Sequence, residues 1–308
     1  MDFCEARSGL TFDGYDAFWR WSTDAGLEDF WAAVWDCFDV RTEAPYTKVL
    51  DSRTMPGATW FEGARLNYAE HALRPATDRG DEVALVGVSQ TRDRSELTWG
   101  ELVEQVARAR DGLIRLGVVS GDRVAAYLPN IPETIVAFLA ACSLGATWTS
   151  CAPEFGVQAV LDRFTQVEPT VLLAVEGYRY GRHTVSRVDE LAAIRAGLPS
   201  LRATVVVPYP DPSALDDVVD WGSLLATRGE LRFEPVAPDH PLYVLYSSGT
   251  TGLPKPIVHG HGGILMPLPS CASGRRDTRP PFGCQPRSWD SSTLGWNEVS
   301  SMRTSAPA

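Results

Sequence analysis

Apolar side chains at Leu27, Phe30, Trp31, Val34, Trp35 and Phe38 recur at the three- and four-residue spacing of a single helix face. This stripe predicts a helix that buries its rings against the rest of the chain. From about residue 81 the pattern changes to short apolar runs alternating with longer amphipathic ones. Val83–Val88 reads as a buried strand. Thr98-Trp-Gly-Glu101 has the order of a capping box and opens a helix through Leu102, Val106, Leu113 and Leu116 that stops at Gly117. Val124–Leu128 is the next strand. Pro132 then sets the first turn of a helix over Glu133–Leu144, and Gly145 ends it before a strand over Ala146–Ser150. The cycle continues with a helix over Val157–Val167, a strand over Thr170–Val175, a helix over Ser186–Ala196 and a strand over Ala203–Val207. Such alternation predicts right-handed crossovers and a largely parallel sheet with flanking helices, an α/β fold.

Two stretches break the rhythm. Residues 208–241, with Pro208, Pro210, Pro212, Pro235, Pro238 and Pro241, read as a connector to a strand over Leu242–Tyr246. After residue 265 both periods vanish, and Leu268, Phe282, Leu294 and Val299 are the only Leu, Ile, Val or Phe side chains left. A segment so poor in apolar surface cannot offset its ordering entropy, so disorder is expected there. The expected organisation is a helical cap over residues 1–75, a sheet-bearing domain over 76–265 and a tail over 266–308.

Bulk composition narrows the class without naming it. A chain of 308 residues with 44% hydrophobic and 22% charged side chains can bury a sizeable core and form more than one domain. Its net charge of −11 argues against a nucleic-acid partner, which needs a basic face. Nucleotides stay open, because a few cations and backbone donors can be concentrated locally. The cysteines, Cys4, Cys37, Cys142, Cys151, Cys271 and Cys284, show neither a CxxC pair nor zinc spacing, which points away from a disulfide framework or structural metal and toward a reducing cytoplasm. The N-terminus lacks a basic leader followed by an apolar stretch. The longest apolar run, Ile135 to Cys142, falls well short of the ~20 residues that span a bilayer, so no membrane segment is expected.

The candidate chemistry centres on the run from Tyr243 to His261, where an apolar strand enters a turn rich in hydroxyls and glycine that closes on a lysine. Ser247, Ser248, Thr250 and Thr251 supply donors, while Gly249 and Gly252 let backbone N–H groups turn toward an anion. Lys255 adds a compact charge, and it is one of only two lysines, with Lys48, among 28 lysine and arginine residues. The spacing differs from the P-loop, in which lysine directly follows the last glycine, so that motif's magnesium-binding hydroxyl is not implied. The residues fit a polyphosphate cradle or, more plainly, a strand-to-strand turn with a solvated lysine. A second cluster, Gly177-Tyr178-Arg179-Tyr180-Gly181-Arg182, follows the strand predicted over Thr170–Val175. Arg179 and Arg182 fit either a shared phosphate or a solvated surface. His259 and His261 form an HxH pair without a nearby third ligand, which favours backbone positioning over metal binding. Glu154 is a lone carboxylate, more readily structural than a general base.

Tyr246 to Pro256 resembles the signature loop of the acyl-adenylate-forming enzymes, which include acyl-CoA synthetases, luciferases and adenylation domains of peptide synthetases. The continuation Lys255-Pro-Ile-Val-His-Gly-His261-Gly-Gly263, the run Thr59 to Glu70 and the segment Ser143 to Gly156 are similar to the acetoacetyl-CoA synthetase branch. The resemblance covers residues 1 to about 265. It implies an N-terminal cap followed by part of an adenylation domain that uses ATP, CoA and Mg2+. It also implies a two-step reaction in which acetoacetate attacks ATP to give an acyl-adenylate and pyrophosphate, and the CoA thiol then releases AMP. In that family the loop corresponding to Ser247–Lys255 holds the β- and γ-phosphates, and a stretch matching Gly177, Arg179, Gly181 and Arg182 meets the nucleotide end of CoA. No protein partner is implied. Beyond residue 265 the chain departs from the family, which carries its adenine, ribose, metal and acyl residues and a catalytic lysine further on. No catalytic residue is therefore assigned, and the chain as written is expected to lack ligase activity. A frameshift near codon 266 and a natural linker or interaction tail both account for this departure. A non-catalytic nucleotide-binding module, and a ligase for acetate or propionate, are the other functional readings.

Overall fold

The structure is a computed structural model that describes residues 1–209, 215–247 and 252–266. The N-terminal segment forms α1 (Asp2–Ser8), α2 (Tyr15–Thr23) and α3 (Leu27–Cys37). α3 carries the predicted stripe, with Val34 and Trp35 buried and Phe30, Trp31 and Phe38 partly buried around them. β1 (Lys48–Leu50) and β2 (Trp60–Glu62) pair antiparallel and bring Phe61 under this face. The Trp35 and Phe61 ring centroids lie 4.3 Å apart, and Tyr46 meets Trp35 edge-on at 5.1 Å. Leu265 and Met266, the last described residues, complete the same cluster. α4 (Tyr68–Ala72) and α5 (Ala76–Arg79) then lead into the main body.

The strand expected at Val83–Val88 forms as β3 (Val83–Gly87), but it is neither buried nor part of the main sheet. It pairs antiparallel with β4 (Ser95–Thr98), leaving Val83, Val86 and Val88 exposed. A two-stranded ribbon has one face to bury, and here only Ala84, Leu85 and Leu97 reach the core. α6 (Trp99–Arg115) starts at the predicted capping box. Glu101 N donates to Thr98 Oγ1 at 3.2 Å, and Thr98 N donates to Glu101 Oε2 at 2.8 Å.

β5 (Arg123–Tyr127), α7 (Pro132–Ser143), β6 (Thr147–Cys151), α8 (Val157–Phe164) and β7 (Val171–Ala174) follow within two residues of their predicted starts. The next pair was not anticipated: β8 (Gly177–Tyr180) and β9 (His183–Ser186) make an antiparallel hairpin, so α9 (Val188–Ala196) begins later than expected. After β10 (Ala203–Val206) the supposed connector contains β11 (Val219–Asp220) and α10 (Trp221–Leu224). Asp220 caps α10 by accepting from Gly222 N at 2.8 Å and Ser223 N at 3.1 Å, and Trp221 and Leu224 are buried. β12 (Pro241–Ser247), β13 (Lys255–Gly260) and α11 (His261–Leu265) close the described chain.

These strands form a seven-stranded sheet in the order β11-β10-β7-β5-β6-β12-β13, parallel throughout except for β12 with β13. Alternate residues of β5 face two separate cores. Val124 and Ala126 join α6 and α7 on one side, and Ala125 and Tyr127 join α8 and α9 on the other. A strand covered on both faces must be apolar in almost every position, and β5 is. No helix among the described residues is long and apolar enough to cross a membrane. Cys4, Cys37, Cys142 and Cys151 are free thiols. The tail expectation for residues 267–308 lies outside the described residues.

Candidate nucleotide site

From β5 the chain crosses to β6 on one side and then to β7 on the other, so the strand order reverses beside β5. In open parallel sheets ligands bind outside the carboxyl ends of the strands near such a reversal. The turn after β6, the β8–β9 hairpin after β7 and the turn between β12 and β13 all leave the sheet at that end.

The hydroxyl-rich run lies between two paired antiparallel strands, β12 and β13, whose ends are aligned across the ladder. Ser247 pairs with Lys255 and Tyr246 with Pro256, which sets an exposed hydroxyl opposite an exposed ammonium at the mouth of the hairpin. Gly252 has φ of +117° with open space where a Cβ would sit, so the backbone conformation rather than crowding calls for glycine. Ser248, Gly249, Thr250 and Thr251 lie outside the described residues. Among the described residues every ion pair uses an arginine and none reaches Lys255.

Groups that the sequence did not single out support this turn from beneath. Tyr246 donates its hydroxyl to the Arg163 carbonyl at 3.0 Å, and burial pushes that hydroxyl up to about 12, so it stays a donor. The Arg163 guanidinium lies 5.0 Å from the Phe155 ring centroid and 5.8 Å from that of Tyr246. Gln166 Nε2 donates to the Pro254 carbonyl at 3.0 Å, fixing the residue before Lys255. Nothing in the local pattern at residues 163–166 announces these contacts, which link positions distant along the chain.

The arginine cluster is a hairpin rather than a loose turn. Arg179 sits on β8 opposite Thr184, while Tyr180 pairs with His183 and leaves Gly181 and Arg182 as a two-residue turn. Both arginines are exposed, and Gly177 is buried with only 2.7 Å between its would-be Cβ and the Val185 carbonyl. His259 lies on β13 with its ring 5.0 Å from that of Tyr243. His261 is fully buried and accepts a hydrogen bond from Tyr68 N at Nδ1, 3.1 Å away. Burial, helped by the nearby His240, lowers its pKa to about 3, so the ring is neutral. Glu154 is exposed in the turn after β6. Among the described residues no three His, Cys, Asp or Glu side chains come together as a metal site.

A cleft of about 440 Å³ lies at the opposite end of the sheet, lined by Arg65, Ser120, Glu234, Asp239, His240 and Pro241. These residues flank the amino ends of β5 and β12, the end at which parallel sheets rarely bind their ligands.

Comparison with known proteins supplies what the geometry leaves open. Residues 15–72 match the model for the acetyl-coenzyme A synthetase N-terminus, and residues 73–296 match the model for AMP-binding enzymes. The latter match runs past residue 265, where the resemblance read from sequence ends. Acetoacetyl-coenzyme A synthetase of Rhizobium meliloti (strain 1021) is 44% identical over 86% of this chain and 41% of its own length. Malonamoyl-CoA synthetase of Penicillium aethiopicum is 36% identical over 84% of this chain and 38% of its own length. In three dimensions, acetoacetyl-CoA synthetase from Streptomyces lividans superposes with a TM-score of 0.83 at 51% identity, covering 87% of this chain and 42% of that one. The chain thus spans about 40% of the length of these relatives. With more than half of its residues matched by one family model, and the mouth of its parallel sheet built as described, the chain belongs to the AMP-binding enzyme family.

Proposed function

We propose that this chain is the phosphate- and CoA-contacting portion of an acetoacetate–CoA ligase. The overall reaction joins acetoacetate, ATP and CoA to give acetoacetyl-CoA, AMP and pyrophosphate through an acyl-adenylate. The observation that carries this reading is the alignment of Ser247 with Lys255 at the carboxyl end of the sheet. Attack of a carboxylate on the α-phosphorus needs little covalent help. It needs the leaving phosphates held in place and their charge offset. Lys255, the hydroxyls of Ser247, Ser248, Thr250 and Thr251, and the backbone at Gly249 and Gly252 take that role for the β- and γ-phosphates. Gly177, Arg179, Gly181 and Arg182 take the nucleotide end of CoA. Mg2+, when bound, neutralises phosphate charge. Free thiols at the four described cysteines fit a cytoplasmic setting.

Calorimetric titration of the purified chain with ATP tests the assignment. Lys255→Ala is expected to weaken binding about tenfold, the loss of a charge-assisted contact worth ~1.4 kcal/mol, with Lys255→Arg intermediate. Equal affinity for ATP in the wild-type chain and Lys255→Ala removes the phosphate role. The acid is assigned from the printed names of the acetoacetyl-CoA synthetases.

A further inference from the structure

The hairpin that bears Arg179 and Arg182 is held from outside its own sheet. Thr91 Oγ1 accepts from Arg179 N at 3.0 Å, and Gln90 Oε1 accepts from Gly181 N at 2.8 Å. Both acceptors lie in the loop between β3 and β4. That loop is itself wound tight: Ser89 Oγ accepts from Thr91 N at 3.1 Å and from Arg92 N at 2.9 Å. Its other end is bolted to the main body. Arg92 Nη1 pairs with Glu133 Oε1 at 2.6 Å at the start of α7, and Arg92 Nη2 donates to the Pro208 carbonyl beyond β10. The Arg92 guanidinium also covers the Tyr209 ring at 4.6 Å.

A two-stranded hairpin is marginal alone, and long exposed arginine side chains pay rotamer entropy to converge on one anion. A rigid clasp on the backbone N–H groups of residues 179 and 181 reduces the part of that cost that comes from the backbone. We propose that Gln90 and Thr91 are positioning residues that preset the Arg179–Arg182 hairpin for a phosphate-bearing ligand, CoA in the reading above, on which this inference rests. They touch the hairpin backbone and act through the arginines. This gives the β3–β4 ribbon, whose outer valines are exposed, a role in ligand binding rather than in the core.

The test titrates the full chain with CoA in wild type, Gln90→Ala/Thr91→Val, Thr91→Ser, Arg179→Ala/Arg182→Ala, and the combined variant, with far-ultraviolet dichroism confirming the fold. Hydrogen exchange of the residue 179 and 181 amides is followed in parallel. The clasp variant is expected to bind CoA about fivefold to tenfold more weakly and to exchange those two amides at least tenfold faster, while Thr91→Ser keeps wild-type values. In the absence of the arginines the clasp substitutions are expected to cost nothing further, because the two sets act as one unit. Unchanged exchange at those amides, or additive losses in the combined variant, overturns the clasp. If removing the arginines leaves CoA affinity unchanged, or wild type binds no CoA, the hairpin's CoA assignment falls first and the inference falls with it. The exchange data still report whether the clasp exists.

Discussion

His261 shows how a single side chain ties the candidate site to the N-terminal cap. It is the first residue after β13, it is fully buried, and its Nδ1 accepts from Tyr68 N at the start of α4. Its Nε2 has no hydrogen-bond partner among the described residues. Charging this ring forces a cation into an apolar site facing His240, and that is why its pKa falls from 6.5 to about 3. The sign follows directly. Between these values the unfolded chain binds a proton that the folded chain does not, so stability is full above pH 6.5 and declines as pH falls toward 3. The full effect is of the order of 5 kcal/mol. His261→Asn keeps an acceptor near the Nδ1 position and cannot titrate. Urea unfolding from pH 7 to pH 4 is expected to show a shallower pH dependence in this variant, and identical slopes would remove the assignment. In the sequence His261 stood out only as half of an HxH pair. The Tyr68 contact joins residues 193 apart, and no local spacing encodes it.

At the scale of elements, α6 offers two measurements. Thr98→Ala deletes one half of the observed capping box and is expected to cost about 1 kcal/mol in denaturant unfolding. Gly112→Ala sets two effects in opposition. Alanine gains up to about 1 kcal/mol of helix propensity. Against that, a Cβ at Gly112 would stand 2.4 Å from the Leu224 carbonyl oxygen and 2.6 Å from the Leu224 side chain. The carbonyl belongs to α10 and also accepts from Arg115 Nη2 at 2.9 Å, so it cannot easily swing away. Overpacking is expected to win, with a net loss of about 1–2 kcal/mol by the same measurement. The elements legible in the sequence share one property, in that their own pattern and punctuation suffice. α6 has its capping box and α7 its opening Pro132, and β5 has an unbroken apolar run. The elements that escaped notice depend on partners. β4 is polar because its ribbon buries one face, β8 and β9 exist because they pair with each other, and β11 is two residues at a sheet edge. β3 was legible as a strand, but its exposure was not, since a run of valines looks alike whether one face is covered or both. The turn proposed for phosphate drew notice at Ser247, Gly252 and Lys255 from residue type alone, whereas its supports Tyr246, Arg163 and Gln166 meet only through the fold.

At the scale of the whole molecule, the parallel sheet presents its two candidate anion-binding hairpins at the same end, while the 440 Å³ cleft sits at the other. The chain covers about 40% of the length of its relatives, and in the proposed reading its groups position phosphates without supplying a catalytic acid, base or nucleophile. The purified chain is accordingly expected to bind ATP yet show no acetoacetate-dependent exchange of label between pyrophosphate and ATP. Measurable exchange would contradict that division of labour. The most direct test of the central claim is where ATP protects the backbone, read by hydrogen–deuterium exchange of the purified chain with and without saturating ATP. The account predicts slowed exchange in the peptide spanning Ser247 to Lys255 and no change around Arg65, Glu234 and His240. Protection at that cleft with none across Ser247 to Lys255 would contradict it.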